Sequence, residues 1–222
     1  MTGTGSEPQT RKEIIEALGR YQRQTSVSIT GKELSIMLVN ESDRGVVVFM
    51  TSILEDILLT QLMNKFVGLK PDERKNLTRS GGLLANFDDR INLARAMGLL
   101  SEESVEMLQV FKAMRNACAH SRKAMTFKTP ALRGALSLLF DGEGAVDIRD
   151  HVSDPMVLRI TFLSAFVFMS ETIFGSSTEQ AQQAAQKIID GLLVEIEKVQ
   201  QKTSRDKLTK QPAKRLPKAP IG

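Results

Sequence analysis

Apolar residues recur along this chain at intervals of three and four, the spacing of one face of an α-helix. Ile14, Ile15, Leu18 and Tyr21 predict a short amphipathic helix over Arg11–Arg23, followed by a loop and an apolar run, Leu34–Val39. Ser42 is placed as the N-cap of a long helix, with Asp43 in its first turn. Val47, Met50, Leu54, Ile57 and Leu58 form its main stripe, and Val46, Phe49, Ile53 and Leu62 fill much of the remaining surface. A helix apolar nearly all round belongs at the centre of its domain. It should end near Gly68, before Pro71. Leu69–Asn86 is polar, contains Gly81-Gly82 and has room for one short helix.

The next predicted helix runs from Phe87 to Leu100. Ser101 caps another, whose stripe is Leu108, Phe111, Met114 and Cys118 and which carries Arg115, Asn116 and His120. Thr129-Pro130 opens a short helix through Phe140, because Pro suits a first helical position. Asp141–Asp154 is an acidic loop. Asp154-Pro155 starts a strongly apolar helix to about Phe174, broken by Gly175-Ser176-Ser177. Thr178–Gln201 is a final amphipathic helix. The predicted fold is all-α: a helical domain over 11–201 between a polar, disordered N-terminus (1–10) and a basic, disordered tail (202–222).

Composition agrees. Aromatic residues make up 5% of the chain, with no Trp and one Tyr, whereas strands favour aromatic and β-branched residues. One cysteine excludes an intrachain disulfide. Cys118, His120 and His151 are too few for a four-ligand Cys/His zinc site, and no cofactor is implied. The N-terminal MTGTGSEPQTRKE lacks the apolar core of a signal peptide. The most apolar stretch, Ile160–Met169, falls short of the roughly 20 residues a bilayer span takes. The expectation is a cytoplasmic protein without membrane association. The net charge of +4 is unevenly spread: 202–222 holds seven of the 30 basic residues and one of the 26 acidic ones, or +6. The body keeps 23 basic and 25 acidic residues, or −2, so attraction to phosphates comes mainly from the tail.

The distinctive chemistry lies in Arg115-Asn116-Ala117-Cys118-Ala119-His120. Asn116 and His120, four apart, share a helix face, and Arg115 is about 100° round from Asn116. A guanidinium fork, an amide and an imidazole near one helix end suit a phosphodiester. The same residues suit a structural arrangement in which Arg115 pairs with a buried carboxylate and His120 caps the helix. Arg44 and Glu55, 11 residues apart, point almost the same way on the first long helix. Glu55 lies among apolar neighbours and should find a cation, with Arg115 the natural partner. Its functional role would then be to orient Arg115.

Other signals are weaker. Gly81-Gly82 and Gly142-Glu143-Gly144 lack the strand, helix and Lys of a phosphate-binding loop. No nucleophile-elbow sequence occurs. The methionines read as core filler. The helix pair about Gly98–Ser101 resembles a helix-turn-helix in its short turn, but its second helix leads with Glu102-Glu103, which repel phosphates.

The stretches Phe87-Asp88-Asp89-Arg90-Ile91-Asn92-Leu93-Ala94-Arg95-Ala96-Met97-Gly98-Leu99-Leu100 and Arg115-Asn116-Ala117-Cys118-Ala119-His120-Ser121 resemble the mannitol operon repressor family. So does Glu41-Ser42-Asp43-Arg44 leading into Leu54-Glu55-Asp56-Ile57-Leu58. The resemblance covers about residues 35–175. It departs at Cys118, where that family usually carries a large aromatic or apolar residue. The family is similar to the HEPN helical superfamily, whose nuclease members carry an Arg-x4-6-His motif across a homodimer cleft and act without metal. The resemblance implies a single HEPN-like bundle, a homodimer, and a transcriptional regulator working through a protein partner. Its alternative is a metal-independent ribonuclease acting on RNA, with Arg115, Asn116 and His120 as catalytic residues and Glu55 and Arg44 in support.

Overall fold

A computed structural model describes residues 41–139 and 154–187, together with 190, 191 and 194. Every regular element among the described residues is helical. In chain order these are α1 (Asp43–Lys65), α2 (Pro71–Thr78), α3 (Phe87–Ala96), α4 (Glu102–His120), α5 (Pro130–Leu138), α6 (Pro155–Phe174) and α7 over residues 178–187. The expectations for 1–10, Arg11–Arg23, Leu34–Val39, Phe140, the loop 141–153, the end of the last helix and the basic tail lie outside the described residues.

The helix starts follow local chemistry. Ser42 Oγ accepts a hydrogen bond from the Gly45 N–H at 3.0 Å, and Ser101 Oγ accepts one from Ser104 at 3.2 Å. Asp154 Oδ1 accepts from Met156 at 2.7 Å, with Pro155 in the first turn of α6. Each side chain satisfies one of the N–H groups that a helix leaves unpaired at its start. Pro71, expected only to stop α1, opens α2, and Glu73 accepts from the Lys70 N–H at 2.7 Å. The first long helix stops at Lys65, short of Gly68, and the Phe87 helix stops at Ala96, short of Leu100.

Gly81-Gly82 closes the turn after α2. Gly81 has φ +79°, and a Cβ on Gly82 would sit 2.4 Å from the carbonyl oxygens of Asn76 and Leu77. These glycines therefore answer a backbone demand. Gly175, at φ +89°, ends α6 in the left-handed conformation that favours glycine.

The core gathers around α1 and α6. Helix α1 packs against α3, α4 and α6, and α4 also meets α3, α5 and α6. Val46, Val47, Met50, Leu54, Leu58 and Leu62 of α1 are buried, as are Leu108, Phe111, Met114 and Cys118 of α4. Val46 and Leu62 thus belong to the core stripe, while Phe49 remains 42% exposed. The Phe162 ring lies 5.4 Å from Phe111 edge-on and 5.3 Å from Phe127. Both α1 and α6 are long and apolar enough to cross a membrane, although the shorter run Ile160–Met169 is not. In this fold their apolar positions contribute to the shared core.

Candidate functional site

The motif residues occupy the last two turns of α4, where that helix crosses α1. Met114 and Cys118 point into the core, Arg115 and Asn116 are half-buried, and Arg115 reaches across to α1. Arg115 Nη2 lies 2.7 Å from Glu55 Oε1, with the two side chains 31% and 14% exposed. The contact is an ion pair rather than a directed hydrogen bond, because Oε1 is buried off the line of any N–H. Arg115 Nη1 donates to Asn116 Oδ1 at 3.0 Å. The guanidinium is thus engaged by a carboxylate from α1 and an amide from its own helix.

His120 is the last residue of α4 and is exposed. Its side chain has no hydrogen-bond or ion-pair partner among the described residues. Arg115 and Asn116 are thus half-buried, whereas His120, the last residue of the helix, faces solvent. Arg44 does not join Glu55, despite their shared angular position on α1. Its Nη2 donates instead to the Ala119 carbonyl at 3.1 Å, satisfying one of the free carbonyls at the end of α4. The five candidates therefore lie around one helix crossing, with Glu55 on Arg115, Arg44 on the backbone beside His120, and His120 facing water.

Two arrangements escaped the sequence pattern. Arg90 of α3 donates to the Leu84 carbonyl at 2.9 Å and the Glu55 carbonyl at 3.2 Å, placing a second guanidinium near Glu55. Burial pushes the Glu55 carboxyl above its usual range; Arg115 and then Arg90 pull it back in part, and Asp56 adds to the rise. Burial likewise raises Asp56 against the pull of Arg90. The signal for Arg90 was slight: an arginine just before the buried Ile91 in a short amphipathic helix.

The second arrangement is a buried hub at Asp43, which is 8% exposed. Arg159 of α6 donates to its Oδ1 through Nε at 2.9 Å and also through Nη2, and the Phe127 N–H donates to Oδ2 at 3.0 Å. The sequence pattern gives Asp43 a place in the first turn of its helix and no partner beyond the helix dipole. The overlooked signal was Arg159, a cation early in an apolar helix, which needs a carboxylate when buried.

Farther along α4, Lys112 pairs with Asp88 of α3, and Gln109 donates to the same carboxylate at 3.3 Å. The Lys112 hydrogen bond holds the Asp88 carboxyl below its usual range. Cys118 is fully buried, and burial pushes its thiol up against the pull of Arg44, so it stays a protonated packing residue. No group of three or more His, Cys, Asp or Glu side chains among the described residues could hold a metal ion. Comparison of the chain with protein-family models, with curated proteins and with solved structures finds no match.

Proposed function

We propose that this chain is a regulatory protein similar to the mannitol operon repressors, acting through a protein partner rather than by chemistry or by reading DNA directly. In this reading its helices form a single HEPN-like bundle, and it works as a homodimer in the cytoplasm, away from membranes. The observation that carries the reading is the state of Arg115. Its guanidinium is held by Glu55 at 2.7 Å and by Asn116 at 3.0 Å. A group recruited to bind a phosphodiester needs free donors, and here the nearest anion is already supplied by the protein. Ion pairs of this kind are common as structural ties. The acidic lead of α4, Glu102 and Glu103, also disfavours that helix as a DNA reader.

A second reading, a metal-independent ribonuclease, draws on one feature: His120 is exposed and uncommitted within one turn of Asn116. There His120 would take the proton from a ribose 2′-hydroxyl as that oxygen attacks the adjacent phosphorus. Arg115 would stabilise the charge building on the phosphate oxygens. The bond to the 5′-oxygen then breaks, that oxygen takes a proton from water to leave as a 5′-hydroxyl, and a 2′,3′-cyclic phosphate remains. One experiment separates the readings: incubation of the full chain with single-stranded RNA in the presence of a chelator. The regulatory reading expects intact RNA even at high protein concentration. Cleavage giving cyclic phosphate ends, lost in both Arg115→Ala and His120→Ala variants that retain the fold, would overturn it.

A further inference from the structure

We propose that the connection between α4 and α5, together with the outer face of α5, is a docking surface for an acidic, amphipathic segment of a protein partner. The proposal rests on the regulatory reading above and gives its partner a chemistry. Residues 107–140 contain no Asp or Glu, yet they contain six Lys and Arg. Of these, Lys112 and Arg115 are neutralised by Asp88 and Glu55 from neighbouring helices. Arg122, Lys123 and Lys128 are exposed, and their side chains form no ion pair among the described residues. Three cations in seven residues thus stand beside the exposed His120 with no local counter-charge in sequence.

The connection that carries them is held in shape. Phe127 is fully buried, its ring tilted 39° against that of Phe162, and its N–H donates to the buried Asp43. Ser121 Oγ accepts from the Lys123 N–H and donates to the Lys123 carbonyl, both at 3.1 Å. The Thr126 N–H donates to Thr129 Oγ1 at 3.0 Å, and the Thr129 N–H returns to the Thr126 carbonyl at 2.8 Å. A loop pinned at its centre and both ends loses little backbone freedom when a partner docks. Beyond it, Ala131, Gly134 and Leu138 are exposed at helical spacing on one face of α5, and Leu138 is 55% exposed. Cations followed by a small apolar face match carboxylates followed by an apolar anchor.

Nucleic acid fits the same surface less well. Single strands bind where cations track the backbone and aromatic rings stack the bases. The one ring between His120 and Leu139 is Phe127, at 0% exposure. The neighbouring face of α5 is apolar, and the −2 charge of the body opposes a long polyanion.

The test is fluorescence anisotropy on the full chain with a labelled amphipathic peptide of Glu and Leu, and with a labelled single-stranded RNA of mixed sequence. Wild type should bind the peptide, more weakly as salt is raised. The exposed triple variant R122E/K123E/K128E should weaken that binding by about tenfold or more, and L138S by severalfold. The variant K65E/K75E/R79E makes an equal charge change at the far end of α1, on α2 and just after it, and should stay within about twofold of wild type. Circular dichroism and thermal melts check that each variant folds. Equal affinity in the triple variant, or an equal loss in the control variant, overturns the proposal. So does RNA binding through Arg122, Lys123 and Lys128 that is tighter than peptide binding. Absence of peptide binding by wild type, with the RNA left uncut, overturns this surface alone, whereas RNA cleavage by wild type overturns the regulatory reading.

Discussion

Glu55 lies one turn after Thr51 on α1, and burial raises its carboxyl above the ordinary value of 4.5 despite Arg115 and Arg90. Burial therefore costs more than the two cations return. Glu55→Ala removes the partner of a guanidinium that is itself 31% exposed. The cost should be about 1–3 kcal/mol, below that of breaking a fully buried pair. His120→Ala, at an exposed helix end, should change stability by no more than about 0.5 kcal/mol. Denaturant titration of both variants checks the order, and equal losses would refute it. The raised carboxyl also fixes a sign. Between its unfolded and folded values the native state holds more protons, so stability falls as pH rises through that window. Wild type should gain stability relative to Glu55→Gln as the solution is acidified from neutrality towards 4.5. A difference that stays constant with pH, or shrinks on acidification, would contradict the burial argument.

Among the elements, α4 joins the core to the candidate site, and its start depends on a local device. Ser101 Oγ accepts the Ser104 N–H and also bonds the Ser104 hydroxyl at 3.0 Å, while Glu102 and Glu103 face the positive end of the helix. Ser101→Ala should cost about 1 kcal/mol. Because the cap lies five turns from His120, that loss should leave any function of the motif unchanged once temperature is lowered to compensate. Thermal melts and a binding assay on the same variant decide this. A functional loss out of proportion to the melting change would show that the two ends of α4 are coupled.

On the scale of the molecule, Asp43 ties three parts of the chain: the start of α1, Arg159 of α6 and the connection that carries Phe127. Asp43→Ala removes an acceptor shared by a guanidinium and a buried N–H, and should cost about 3–5 kcal/mol. Chemical denaturation measures it, and a loss under 1 kcal/mol would mean that the hub is dispensable. The proposed homodimer belongs to this scale too. Phe49, Val157 and Phe174 remain 42%, 42% and 56% exposed on the longest apolar helices, α1 and α6. Light scattering at micromolar concentration should return twice the mass of the 24.6 kDa chain. A monomeric mass would remove the dimer from the functional reading.

Helix identity and the core stripes were legible because a period near 3.6 and the capping residues act within a few positions of one another. Ser42, Ser101 and Asp154 stand where the helices begin, and Leu108, Phe111, Met114 and Cys118 are buried as spaced. The Glu55–Arg115 pair was legible as well, since a carboxylate among apolar residues requires a cation and Arg115 was the best placed. Which carboxylate meets Arg159, why Arg44 turns to Ala119 and not to Glu55, and how Arg90 reaches the Glu55 carbonyl were decided only by the tertiary structure. Those contacts join residues 35 to 116 positions apart. Local spacing sets the angle at which a side chain leaves its helix, whereas the packing of one helix against another sets what that side chain meets.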